Sequence, residues 1–301
     1  QFLDEGTGTD DRLLAVNGTV AYYLNAGTWT STRSGLTTGS KARFTSFVDR
    51  VIMVNGAQAP AGWSGSGSFD TTNLVDAPTA KYVDVFRSRI WMANTDANPS
   101  RLFYSTAVSS AGVVTWAVAT QFIDISPGDG GDIIGIKRSP KALLVFKPNH
   151  TYRVFDINTT DPDPQILVGT YSQESVVEGK DAYYFHDFTN SAIQRYDGAA
   201  PKEISKSIRP YLQAMALSNR ESVAGWRDND HIYESIGTIT LNGVQFINVV
   251  VVYTISTQVW TVYSYPSQFL QGASYDDGTT IDSVVADNDG SVHRFNIGNT
   301  D

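Results

Sequence analysis

An alternation of period two, broken by turn dipeptides and renewed along the whole chain, constrains this sequence more than any other feature. Leu13-Leu14-Ala15-Val16 leads through Asn17-Gly18 into Thr19-Val20-Ala21-Tyr22-Tyr23-Leu24. Arg50-Val51-Ile52-Met53-Val54 runs into Asn55-Gly56, and Ile239-Thr240-Leu241 passes through Asn242-Gly243 into a run from Val244 to Tyr253. Apolar, β-branched and aromatic residues at that period fit half-buried strands, and Asn-Gly between two such runs is a strong hairpin signal. The pairs are therefore expected to be antiparallel hairpins. Helical spacing is confined to 207–218, where Ile208, Leu212, Met215 and Leu217 recur at roughly helical intervals, so one short helix is expected. With 25 Gly and 11 Pro set largely between short apolar runs, the chain reads as all-β.

A repeat narrows the architecture to a single β-propeller. Seven rough units have their cores at 12–30, 42–63, 82–116, 132–155, 172–204, 223–262 and 270–295, and 301 residues over seven units gives about 43 each. That period suits one four-stranded propeller blade. Units begin with inner strands such as Arg89-Ile90-Trp91-Met92-Ala93 and several end near Trp29, Trp63, Trp116 and Trp260, aromatics expected to pack between blades. The repeats diverge, so six and eight blades stay open beside seven. The glycine- and serine-rich stretch 61–68 reads as a surface loop, and one propeller domain spanning 1–301 is expected. The chain opens Gln1-Phe2-Leu3-Asp4 without a charged-then-apolar leader, so no signal peptide is expected and both ends are treated as cut from a longer chain.

Composition excludes several functions. There is no Cys, which removes disulfide frameworks, thiolate metal sites and cysteine nucleophiles. The balance of 22 Lys+Arg against 31 Asp+Glu gives a net charge of −9 and argues against a basic stripe that would hold nucleic acid by counterion release. The longest apolar runs, 142–146 and 249–253, are far too short to cross a bilayer as a helix.

Candidate chemical motifs each have a structural reading. Ser274, Asp276, Gly278 and Thr280 match the Asp-box of sialidase-like propellers, with Ile281 where an aromatic is usual. In such a turn Ser and Asp bond the hairpin backbone and Gly takes positive φ, so a turn lock is expected. Asp287-Asn288-Asp289-Gly290 and Asp161-Pro162-Asp163-Pro164 have calcium-like spacing without the terminal Glu of an EF-hand loop, and read as polar turns. Gly128-Asp129-Gly130-Gly131-Asp132 lacks the Lys-Ser/Thr of a phosphate loop. His150, His186, His231 and His293 stand in no metal spacing and are expected at strand ends or turns. Gly62-Trp63-Ser64-Gly65-Ser66 breaks the nucleophile-elbow pattern at its last position. Asn17, Asn149 and Asn158 open Asn-x-Ser/Thr triplets, read as chance matches. Tyr183-Tyr184-Phe185 and Tyr263-Ser264-Tyr265 alternate in strand rhythm and are expected in the core. No catalytic, cofactor-binding or metal residue is assigned, and no enzyme is expected.

Several segments together resemble a known family. Asn98-Pro99-Ser100-Arg101-Leu102-Phe103-Tyr104-Ser105 is followed by Trp116, by Ile123-Asp124-Ile125 and by 128–136. Leu143-Leu144-Val145-Phe146-Lys147 then precedes Thr151-Tyr152-Arg153-Val154-Phe155. Further on come Tyr184-Phe185, Arg195-Tyr196-Asp197-Gly198 before Ile204-Ser205, Val252-Tyr253, Val259-Trp260-Thr261-Val262-Tyr263, and 289–296. In this order, from about 84 to 296, they resemble the β-propeller virion proteins of tailed bacteriophages, among them tail hub, nozzle and packaged-DNA-stabilisation proteins. The resemblance implies a non-catalytic structural subunit of the neck or tail. Its expected partners are other tail and neck subunits in a homo-oligomeric ring, with at most transient contact to genomic DNA and none to membrane. It further implies a place in the virion after assembly in the host cytoplasm. A wall of like charge would repel rather than grip passing DNA. Two other readings stand beside it: a carbohydrate- or receptor-binding propeller using loops 62–67 and 95–100, and a glycosidase with two carboxylates about 5 to 9 Å apart.

Overall fold

A computed structural model of the protein describes residues 12–109, 112–128, 131–159, 163–276 and 281–295. Two compact units make up the chain, Gln1–Phe146 with Tyr152–Pro164 and Lys147–Thr151 with Gln165–Asp301. Seven antiparallel sheets follow one another at the seven positions of the sequence repeat. The first is Leu14–Asn17, Val20–Asn25 and Thr28–Arg33; the second is Arg43–Phe47, Arg50–Val54 and Ala61–Trp63. The third comprises Tyr82–Phe86, Arg89–Ala93, Arg101–Tyr104 and Phe122–Asp124, and the fourth Gly135–Arg138, Leu143–Phe146, Thr151–Val154 and Asp163–Ile166. In the second unit the fifth sheet is Val177–Glu178, Tyr183–Asp187, Ala192–Tyr196 and Lys202–Glu203. The sixth is Ala224–Arg227, His231–Leu241, Val244–Thr254 and Val259–Ser264, and the seventh Phe269–Asp276, Ile281–Asp287 and Val292–Phe295. Each is a meander, strand pairing with the next along the chain, except that in the third sheet Val114–Thr115 intervenes between Arg101–Tyr104 and Phe122–Asp124 and pairs elsewhere. Among the described residues the first, second and seventh carry three strands rather than four. Arg209–Gln213 is the expected short helix, flanked by 3₁₀ turns at Lys206–Ile208 and Leu217–Asn219, with Pro210 in its first turn where no N–H is needed.

The turn dipeptides act in three different ways. Asn242 and Gly243 both take positive φ, 52° and 81°, and join the two eleven-residue strands of the sixth sheet as a type I′ turn. At the first hairpin Asn17 pairs with Val20, so the turn is Gly18-Thr19, one residue later than the dipeptide; only Gly18 is left-handed, at 58°. Asn55-Gly56 closes no tight hairpin. The Asn55 side chain accepts the backbone N–H groups of Ala57 and Gln58, and a six-residue loop runs to Ala61. One ladder departs from the antiparallel expectation: Leu74–Val75 pairs in parallel with Val114–Thr115, joining two loops that no local pattern relates.

Burial explains why an inner strand of several sheets is continuously apolar rather than alternating in polarity. Val51 and Met53 pack against the first sheet, whereas Ile52 and Val54 pack against the third. Ile90 and Met92 face the second sheet while Trp91 and Ala93 face the fourth. In the second unit Val249 and Val251 meet residues of the fifth sheet, and Val250 and Val252 meet the seventh. The period of two persists, but both faces are covered, as for strands buried between two layers. Trp63 and Trp116 are buried as expected, and Trp260 lies partly buried with its indole N–H on the Ile204 carbonyl at 2.8 Å. Trp29 is the exception at 39% exposed, because it lies on an outer strand, Thr28–Arg33, whose pattern is mostly open to solvent.

Polar bonds also link the sheets. Asp84, 7% exposed, accepts Thr45 Oγ1 of the second sheet at 3.4 Å and the Arg138 N–H of the fourth at 2.7 Å, so one carboxylate spans three sheets. It accepts the N–H of Val85 at 2.7 Å as well. Gly272 in the seventh sheet lies so close to Trp226 that an added Cβ would stand 2.6 Å from the Trp226 Cβ.

Two stability predictions follow from these contacts. Replacing Asp84 with Ala removes the buried acceptor of the Thr45, Val85 and Arg138 bonds, and urea unfolding of Asp84→Ala is expected to show a loss of about 1–3 kcal/mol. Gly272→Ala forces the Trp226 stack apart and is expected to cost about 1–3 kcal/mol by the same measurement, an overpacking effect.

Candidate functional site

The structure spends most of the chemistry-bearing residues on turns and cross-strand pairs. Asp287 Oδ1 accepts the N–H groups of Asp289 at 3.0 Å and Ser291 at 2.8 Å, with Gly290 at φ 83°, so the Asp287–Gly290 motif is the expected polar turn. Its Oδ2 meets His293 Nε2 at 2.7 Å. Asp228 is a second such lock, accepting the N–H groups of Asp230 and His231, the Tyr233 hydroxyl at 2.7 Å and a contact from His231 Nδ1 at 3.0 Å. His231 thus begins its strand as expected. Burial pushes the Asp228 carboxyl up, but the bonds from Tyr233, from those backbone N–H groups and from His231 outweigh it and hold the group below the ordinary aspartate value. Tyr233 responds in the opposite sense, its phenol raised by burial and by donation to Asp228.

At the Asp-box match the Ser274 hydroxyl donates to the Arg227 carbonyl of the sixth sheet at 2.8 Å. The reason is register: Ser274 pairs with Ser283, two positions back from the hairpin end at Asp276 and Ile281, so it reaches a neighbouring strand. Gly278 and Thr280 lie outside the described residues, as do Asp161, Pro162, Asp129 and Gly130. The motif at 62–66 forms no elbow: Gly62 and Trp63 end the second sheet, and the Trp63 indole donates to the Gly67 carbonyl at 3.0 Å. Loop 62–67 is thereby tied to its own sheet. Asn17 sits at a strand end, Asn149 Oδ1 accepts the Thr189 hydroxyl at 2.8 Å, and the Asn158 N–H bonds Asp156 at 2.8 Å.

Segments that carry the family resemblance behave likewise. Arg101 opposes Asp124 in the register, binds it in a fork at 2.8 and 3.2 Å, and stacks 3.6 Å from the Phe122 ring centre. Arg195 bridges Asp197 at 2.8 Å and Asp181 at 3.0 Å. Tyr183, Tyr184 and Phe185 are core residues as expected, whereas Tyr263 is 50% exposed because its outer strand alternates into solvent.

His186 corrects the sequence reading more sharply. It lies within Tyr183–Asp187, fully buried, with Nδ1 3.2 Å from Oε2 of the buried Glu234 in the sixth sheet. Phe188 stacks on the imidazole at 4.1 Å. His186 Nε2 and Glu234 Oε1 have no hydrogen-bond partner, and Glu234 borders a void of about 10 Å³, the space of a single water. No sequence spacing announces this pair, since 48 residues separate its members.

Loop 95–100 borders a shallow, open depression of about 630 Å³ within the first unit. Asp76 and Pro78 form one side, Thr95 and Asn98 another, and the buried rings of Phe103 and Trp116 line it with residues 117–119. The parallel ladder makes it: Trp116 N–H donates to the Val75 carbonyl at 3.1 Å, bringing 74–78 beside 114–119. Asp76, at φ 56°, and Asn94, at φ 60°, turn the chain sharply at the ends of their strands. The Thr95 hydroxyl accepts the Asn98 N–H at 3.1 Å and shapes the loop. The Trp116 indole N–H is buried without a partner, a state that costs about 1–3 kcal/mol. Among the described residues no three His, Asp or Glu side chains gather as a metal site.

No family model matches the chain, and no curated protein matches it by sequence. Solved structures do resemble it. BamB from Moraxella catarrhalis aligns with 100% of this chain and 83% of its own, at a TM-score of 0.56 and 11% identity. The computationally designed protein Ika8 aligns with 95% of this chain and 93% of its own, at a TM-score of 0.51 and 10% identity. Both are β-propellers, and the fold of this chain is accordingly an all-β propeller.

The Asp228 lock generates a pH prediction. A carboxyl held below its ordinary value stabilises the fold above that value, and the contribution is lost as pH falls through the lowered folded value. Asp228→Asn is expected to be less stable than the parent by about 1–2 kcal/mol at neutral pH. The gap should close on acidification below pH 3.8, the reference value, in paired urea titrations.

Proposed function

We propose that the chain is a non-catalytic structural protein of a tailed-bacteriophage virion, a propeller in the neck, tail hub or nozzle that presents rigid surfaces to neighbouring subunits. The observation that carries this reading is where the titratable side chains go. Asp84, Asp187, Asp228, Asp287, Arg101 and Arg195 are committed to turns, cross-strand forks and sheet-to-sheet bonds. Side chains held in that way stiffen a scaffold, because both partners are fixed by the backbone pairs around them. A net charge of −9 supports the same role beside a genome, since an acidic wall lets a phosphate backbone pass without gripping it. Sheets covered on both faces also suit a part that transmits load between neighbours.

Immunogold electron microscopy with an antibody against this chain, on particles purified from its source, tests the proposal. Label clustered where head meets tail is the expected result. Particles that carry no label would remove the virion reading.

A further inference from the structure

We infer that the outer edge of the sixth sheet, strand Val259–Ser264, is the surface on which a second copy of this chain docks, strand against strand. It rests on one sheet of the second unit and goes beyond the virion reading, which names no contact face. From Ser235 to Tyr275 the sequence holds no Asp, Glu, Lys, Arg or His, the longest such stretch in a chain of which 18% is charged. That stretch supplies most of His231–Leu241 and all of Val244–Thr254 and Val259–Ser264. Val259–Ser264 ends the order of its sheet, so among the described residues one side of its backbone pairs with no strand. Val259, Thr261 and Tyr263 are exposed along it, and the neighbouring hairpin adds exposed Val244 and Ile247.

Bare strand edges are normally blunted by charge or covered, because unpaired N–H and C=O groups recruit other strands. The other sheets follow that rule. Arg33, Asp124, Asp163, Lys202 with Glu203, and Arg294 stand in the last strands of the first, third, fourth, fifth and seventh sheets. In the second sheet Ala61–Trp63 is buried, and Asp70 bridges to it at Gly62. Among these last strands Val259–Ser264 alone has neither a charge nor a strand over it.

The occupant follows from charge and from the strand's own sequence. Two chains of net charge −9 repel, and an uncharged edge is where they can approach without opposing like charges. Paired antiparallel with its own copy about Thr261, the strand sets Val259 against the partner's Tyr263, Trp260 against the partner's Val262 and Thr261 against the partner's Thr261. Aromatic residues opposite β-branched ones, and Thr opposite Thr, are favourable cross-strand pairs. Such a contact is isologous and closes at two chains. A phosphate or an acidic peptide would find no cation in this strand, and a basic peptide no carboxylate.

Sedimentation equilibrium of the full chain over a roughly hundredfold range of concentration tests the inference. The expected mass is twice the 32.8 kDa of one chain at the upper end, falling toward one chain on dilution. Thr261→Lys sets two ammonium groups against each other across the two-fold axis and is expected to weaken association roughly tenfold or more. Thr261 is exposed, so an unchanged melting temperature would show that the variant stays folded. Thr261→Glu is expected to weaken association likewise, and an equimolar mixture of the two variants to associate again, because Lys then opposes Glu. A chain that stays monomeric over the whole range overturns the inference. So does an assembly that Thr261→Lys leaves intact, or a mixture of the two variants that associates no better than either alone. Self-association is read on the purified chain and virion label on particles, so either reading can fail while the other stands.

Discussion

Burial of both faces of a strand is the constraint on which the rest of this structure depends. A sheet with one apolar face needs one neighbour, whereas the sheets built on Arg50–Val54, Arg89–Ala93 and Val244–Thr254 need two. Fully burying each large apolar side chain is worth about 1.5–3 kcal/mol, and none of these sheets recovers that alone. Within each unit the core is therefore a series of layers between consecutive sheets. Trp226 marks one such layer, stacked on Tyr233 at 5.5 Å with Phe269 and Phe295 at its edges. Close approach at these layers also fixes where the chain can carry a side chain, as at Gly272.

Polar groups trapped by that layering must be satisfied inside it, and this sets the character of the charged residues. Asp84 is tolerated in the interior because three donors converge on it, two from the backbone and one from Thr45. His186 and Glu234 are held between the fifth and sixth sheets by each other, each keeping one unpaired atom. Strand ends use Asp228 and Asp287 in the same manner, to close turns. Asp287, which stands in a calcium-like spacing in the sequence, thus serves as a fastener, as Asp84 and Asp228 do, and this is the basis for reading the chain as an assembly part.

The sequence by itself determined a good deal. Period-two runs, turn dipeptides and a repeat of about 43 residues were enough for the all-β class, the seven sheets, the short helix at Arg209–Gln213 and the aromatic core at Tyr183, Tyr184 and Phe185. Such features are local: hairpin partners lie within a few residues of each other, so the pattern of each pair is written in one stretch of chain. The polar turn at Asp287–Gly290 was legible for that reason. Register within a turn was not, and Gly18-Thr19 replaced Asn17-Gly18 because the strand pairing, not the dipeptide, chose the turn residues.

Only the tertiary structure decided what meets across sheets. It turned Ser274 toward Arg227, exposed Trp29 and Tyr263 on outer strands, and buried His186 against Glu234. It also laid Leu74–Val75 beside Val114–Thr115 and so shaped the depression at Asp76, Asn98 and Trp116. Each of these depends on side chains tens of residues apart finding a common layer, and loop closure over such spans leaves no local pattern to read. Local pairing made the sheets, and packing between them made the buried pair and the depression.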